Sequence, residues 1–104
     1  MAFCVVFVTV SNLDEAQGIS LALLKEKLAA CVSVAPGIIS RYWWKGKIEK
    51  ASESLLIIKT SRSKTAQLIR KVKKIHSYSV PEIIAFPIVG GNPDYLSWMA
   101  KCLR

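Results

Sequence analysis

Histidine occurs once in this sequence, at position 76, and cysteine three times, at positions 4, 31 and 102. The cysteines are 27 and 71 residues apart. That spacing matches no zinc motif, and an odd count completes no disulfide framework. They read as reduced, mostly buried thiols. Acid is scarce: seven Asp and Glu stand against fifteen Lys and Arg, for a formal net charge of +8. A basic balance permits contact with nucleic acid or an acidic surface but does not select a fold. No apolar run approaches the roughly 20 residues of a membrane span. Met1-Ala2 leads directly into Phe3-Cys4-Val5-Val6-Phe7-Val8, with no basic n-region and no small-residue cleavage site. The expectation is a cytoplasmic chain with no membrane contact. A glycine-rich phosphate loop is missing too, as is any nucleophile–base pair with recognisable spacing. The chain is therefore not expected to be an enzyme.

What is present suits one small domain over residues 1–104. Apolar residues make up 52% and charged residues 21%. A domain this small buries a modest share of its surface, so association with copies of itself would help. Phe3–Val10 is short, apolar and β-branched, and reads as a central strand covered on both faces. Asn12 followed by Glu15 suggests a capping box opening a helix. In that helix Ala16, Ile19 and Leu23 form one apolar stripe and Leu21, Leu24 and Leu28 another, predicting cover on more than one side. Residues 31–44 and 47–60 read as two strands. A helix capped by Ser61 or Ser63 follows to Ile75, with Leu68, Ile69, Val72 and Ile75 on one face and Arg70, Lys71, Lys73 and Lys74 opposite. A loop over 76–81, a last strand over 82–89 and a helix opened by Asn92-Pro93-Asp94 complete the chain. The order β-α-β-β-α-β with a C-terminal helix predicts an α+β, ferredoxin-like sandwich carrying a long β-hairpin.

The hairpin is the unusual part. The stretch Arg41-Tyr42-Trp43-Trp44-Lys45-Gly46-Lys47-Ile48 holds two of the chain's three tryptophans beside a turn. A turn at Lys45-Gly46 sets Trp44 opposite Lys47, Trp43 opposite Ile48 and Tyr42 opposite Glu49. Side chains alternate along a strand, so both faces of the tip are aromatic. A strand of about 14 residues spans on the order of 45 Å, whereas a compact domain of this size is about 33 Å across. Unless Pro36-Gly37 folds the arm back, the tip leaves its own core. Another copy of the chain is the simplest cover, through Tyr42, Trp43, Trp44 and Ile48. Specific nucleic-acid binding is not expected. Residues 54–81 hold seven Lys or Arg and no acid, but the central strands Val5–Val8 and Leu55–Ile58 offer no aromatic platform for bases.

Six segments stand in order: Leu-Ala-Ala-Cys-Val (28–32), Pro-Gly (36–37), Tyr-Trp-Trp-Lys-Gly-Lys-Ile-Glu (42–49), Leu-Ile-Ile-Lys-Thr (56–60), Pro-Glu-Ile-Ile-Ala (81–85) and Gly-Asn-Pro-Asp-Tyr-Leu-Ser-Trp (91–98). With them the chain resembles the CutA divalent-ion tolerance family over essentially its whole length. The resemblance implies a ferredoxin-like fold and a homotrimer whose hairpins extend the sheets of neighbouring subunits. It also implies a role in tolerance of, or response to, copper or another divalent cation. His76 matches a histidine of the family pattern, and Glu82 or a residue of another subunit would complete a metal site with it. Val8 and Ile75 stand where some members have cysteine and a second histidine, so any copper site is expected to be weak. The alternative is a small-ligand sensor that holds an anion in a cleft between subunits. Lys59, Arg62, His76, Tyr78 and Glu82 would contact it.

Overall fold

The computed structural model describes residues 1–104. Four strands, β1 (Phe3–Val10), β2 (Cys31–Trp44), β3 (Lys47–Ser61) and β4 (Ile83–Pro87), form one antiparallel sheet in the order β2-β3-β1-β4. Helices α1 (Leu13–Lys25) and α2 (Thr65–Ile75) connect them, and α3 (Pro93–Cys102) follows. This is the ferredoxin-like α+β order with the extra helix. The β1–β3 register pairs Val6 with Ile58 and Val8 with Leu56, and all four are fully buried. With Ala16, Ile19 and Leu23 of α1 and Leu68 and Val72 of α2 they make the main core. The sheet thus has a closed face, packed on α1 and α2, and an open face.

The open face carries Val5, Phe7, Leu55 and Ile57, all half-buried. β1 is central, as expected, but only one of its faces is fully covered. Of the second apolar stripe, Leu21 and Leu24 are exposed, whereas Leu28 lies beyond the end of α1 and is buried in the main core. At one end of the open face, Met99 and Leu103 from α3 and its following residue close over Ala30, with Phe3 and Leu96 alongside. Phe7 meets Phe86 of β4 edge-on at 4.9 Å. The central strands alone did not reveal that aromatic pair, because half of it comes from the edge strand. β4 is shorter than expected. It starts one residue after Glu82 and stops at Pro87, which needs no ladder hydrogen bond at a sheet edge.

Helix ends show where local signals worked. The Asn12 side chain accepts from the Glu15 N–H at 2.8 Å, and that of Asn92 from the Asp94 N–H at 3.0 Å, with Pro93 in the first turn. The capping box is only half formed, because the Glu15 carboxylate turns to Ser11 and Ser77 instead of Asn12. Neither Ser61 nor Ser63 caps α2. Their hydroxyls bond each other at 3.1 Å, and a 3₁₀ turn over Arg62–Lys64 leads into the helix without a side-chain cap.

The hairpin forms in the expected register, with Trp44 opposite Lys47, Trp43 opposite Ile48 and Tyr42 opposite Glu49. Lys45 joins Gly46 at positive φ, 50° and 78°, as a two-residue turn of this hand requires at both positions. Pro36-Gly37 does not fold the arm back. Between the pairs Ala35–Leu55 and Ile38–Glu53, β2 advances three residues while β3 advances two. That is a bulge, with Gly37 at φ 73°. The chain therefore extends 44 Å along its long axis against 25 Å and 23 Å across. Trp43 is 73% exposed and Ile48 66%.

Candidate functional site

The bulge decides what the hairpin presents. Without the extra residue, Trp43 would follow Ala35 onto the open face. With it, Ile38, Ser40, Tyr42 and Trp44 stand on that face, opposite Glu53, Ala51, Glu49 and Lys47. Thr9, opposite Leu55, lies on the same face. The loop after α2 rises beside them, and a cleft of about 670 Å³ opens between loop and hairpin. Trp44, Tyr42, Glu53, Tyr78, Pro81 and Glu82 are its main walls.

His76 ends α2, and its N–H bonds the Val72 carbonyl at 2.9 Å. Its side chain is wholly buried. Nε2 lies 2.8 Å from the Thr9 carbonyl oxygen. A carbonyl can only accept, so Nε2 carries the proton. Nδ1 then accepts from the Tyr78 N–H at 3.0 Å. The expectation of an accessible loop ligand meets a different placement: both ring nitrogens already hold backbone groups. No three His, Cys, Asp or Glu side chains converge to hold a metal ion. Glu82 is exposed on the cleft wall.

The loop is tied from below by Glu15. Its carboxylate accepts the Ser77 N–H at 2.8 Å, the Ser77 hydroxyl at 2.9 Å, and the hydroxyl and N–H of Ser11. Burial pushes this carboxyl up, but the bonds from Ser77 and Ser11 outweigh it and hold the group below the usual glutamate value. From the loop, the Tyr78 hydroxyl donates to Glu53 Oε2 at 2.8 Å. Burial, then the bond to Glu53 and its negative charge, push the phenol well above its ordinary value, so Tyr78 stays a proton donor.

The five residues expected to hold a ligand split into two groups. Tyr78 and Glu82 line the cleft, and His76 supports it from beneath. Lys59 and Arg62 are elsewhere. Lys59 sits six residues along β3 from Glu53, roughly 20 Å at strand spacing, with its ammonium 3.8 Å from Cys31 Sγ. Arg62 follows the end of β3, and its N–H bonds the Ala2 carbonyl. Glu53 was missed. It sits between Ser52 and Ser54 at the foot of an apolar run and reads as the strand's exposed end. A signal did exist, since counting from the turn places Glu53 on the face of Tyr42 and Trp44.

Residues 4–102 match the protein family described as CutA1 divalent ion tolerance protein. A chloroplastic CutA 1 of rice is 49% identical over 100 residues, covering 96% of this chain and 56% of the relative. The chain spans a similar share, 55%, of the chloroplastic CutA of Arabidopsis thaliana. It thus covers about half the length of these plant relatives. It covers 94% of the divalent-cation tolerance protein CutA of Thermus thermophilus, which is 44% identical over 97 residues. The crystal structure of rice CutA1 superposes with a TM-score of 0.97 at 47% identity, covering 100% of this chain and 95% of that one. That of the Archaeoglobus fulgidus protein gives 0.96 at 41%, covering 98% of this chain and 99% of that one.

Proposed function

Because this chain belongs to the CutA family of divalent-ion tolerance proteins, we propose that it acts as a trimeric, non-catalytic component of divalent-cation tolerance, with copper as its leading ion. The observation that carries the assembly is the hairpin. Its tip holds Trp43 and Ile48 in water on one face and the partly exposed Tyr42 and Trp44 on the other. Exposed apolar surface on that scale favours a contact between copies. The open face adds Ile84, 54% exposed, and Phe86, 40% exposed. Light scattering at micromolar concentration tests this. A trimer mass is expected, and a monomer overturns it.

Copper binding in this reading is weak and centred on His76. An ion reaching Nδ1 must displace the Tyr78 N–H, and one reaching Nε2 must displace both its proton and the Thr9 carbonyl. Each displacement leaves a backbone group unpaired, which opposes binding. Glu82 supplies the second ligand, and water completes the shell. Copper titration of the wild type and His76→Ala checks it: weaker binding by the variant is expected, and unchanged affinity removes His76 from the proposal. No helix of the chain is long and apolar enough to cross a membrane. A cytoplasmic location belongs to the same proposal, and cell fractionation tests it.

A further inference from the structure

Charge is unevenly spread over this chain. Two short segments, 25–27 and 64–74, hold seven Lys or Arg against one acid, Glu26, for a net +6. The other 90 residues hold eight against six, a net +2. The fold brings the two segments together. Lys71 Nζ meets the Glu26 carboxylate at 2.7 Å, and Lys64 Nζ donates to the Lys27 carbonyl at 2.7 Å. Leu68 and Val72 turn one side of α2 into the main core. Arg70, Lys73 and Lys74 are exposed on the side away from it. The sheet therefore lies between this surface and the open face, and no residue of the surface belongs to the hairpin.

Local structure does not account for the clustering. Like charges three or four residues apart, as in Arg70–Lys73, Arg70–Lys74 and Lys71–Lys74, weaken a helix. The helix dipole favours Lys73 and Lys74 in the last turn, but Lys64 stands at the opposite end, and the first turn holds no acid to balance it. Of the seven cations only Lys71 has a carboxylate partner. A groove of about 450 Å³ opens among Lys64, Gln67, Arg70 and Lys71. Glu26 shares it, with its charge held by Lys71.

We propose that this surface binds the phosphate backbone of duplex nucleic acid without regard to sequence. Its features select that partner. The cations run from Lys64 to Lys74, roughly 15 Å along the helix, and a duplex carries one charge for about every 1.7 Å of its axis. An acidic peptide carries at most one charge for about every 3.3 Å, and it must be ordered as it binds. A single strand would stack its bases on aromatic rings, and neither segment has one. An anionic membrane would also be held by large apolar side chains. The exposed positions between these cations are Ala66 and Gln67.

Fluorescence anisotropy of the 104-residue chain with labelled duplex DNA of about 20 base pairs provides the test. Two duplexes of unrelated sequence should bind alike at about 50 mM salt, and log affinity should fall linearly with log salt. Arg70→Gln with Lys74→Gln should flatten that line by about two in slope, one for each lost phosphate contact. Lys47→Gln with Lys50→Gln removes the same charge from the hairpin and should leave the slope unchanged. All four side chains are exposed, so neither pair of substitutions opens the core. Equal flattening by both pairs overturns the proposal, because net charge would then act without a surface. So does an absence of binding at that salt, or a slope that the Arg70 and Lys74 substitutions leave unchanged. Tighter binding to polyglutamate or to phosphatidylserine vesicles than to the duplex overturns it as well.

Discussion

The two faces of the sheet are built from the same strands, yet they behave as different materials. Val6, Val8, Leu56 and Ile58 face α1 and α2 and are completely buried. Their strand neighbours Val5, Phe7, Leu55 and Ile57 are just as apolar but only half-buried. Beyond them the open face turns polar, with Thr9, Ser40 and Glu53, and then aromatic at the hairpin. One face spends its apolar surface on the fold. The other leaves it half-buried in the single chain. A two-residue period cannot separate these roles, because alternation assigns sides without saying what covers each side.

The sharpest way to break the contrast is to cut the closed face. Leu56→Ala empties a fully enclosed site and should cost about 2–5 kcal/mol of stability, measured by denaturant unfolding at fixed protein concentration. The nearest open-face equivalent, Leu55→Ala, should cost clearly less. Equal losses would mean that the open face is as tightly packed as the closed one.

Acid is a milder probe, aimed at the tie between α1 and the cleft loop. Glu15 is held below the usual carboxylate value in the folded chain. Its contribution is therefore complete above the unfolded value, about 4.3 for glutamate. It is lost as pH falls through the lower, folded value. The stability of the wild type should fall more steeply over that acidic window than that of Glu15→Gln. Parallel curves would show that Ser11 and Ser77 do not matter to the fold.

Next in size is the α1 cap. Asn12→Ala removes the acceptor for the Glu15 N–H and should cost about 1 kcal/mol by the same unfolding measurement. No measurable loss would mean that water replaces the Asn12 side chain fully.

The smallest effect on secondary structure belongs to the tip. Trp43→Ala with Trp44→Ala should leave the far-ultraviolet circular dichroism nearly unchanged while shifting the sedimentation profile toward smaller species. An unchanged profile would place assembly on the rest of the open face, around Ile84 and Phe86.

Much of this molecule was legible before any coordinates. Element order followed from the switch between two-residue and helical periods. The hairpin register followed from one dipeptide, because a two-residue turn leaves a single pairing for every residue beyond it. The asparagine caps were legible for the same reason, since an N-cap acts within three residues. Ser61 and Ser63 do not cap α2: their hydroxyls bond each other, and a 3₁₀ turn stands before the helix. The metal expectation for His76 rested on residue type and on the family pattern, and neither carries burial. What occupies its two nitrogens is Thr9, 67 residues away, and Tyr78, two residues away but held by the loop's turn.

What the sequence by itself determined, then, is the local and the periodic: the strands and helices, the turn, the two-faced aromatic tip, and the ordered segments that carry the family. These depend on backbone preferences and on side-chain spacing along one stretch of chain. The cleft depended on tertiary structure. It needs the Pro36-Gly37 bulge to shift the hairpin by one residue, β1 to bring Thr9 beside Glu53, and the loop after α2 to drop Tyr78 onto that carboxylate. Those partners are 25 to 69 residues apart in the pairs Glu53–Tyr78 and Thr9–Tyr78. No local preference can bring them together. Packing the helices on the closed face fixes where each segment ends, and the open face takes its chemistry from what that leaves side by side.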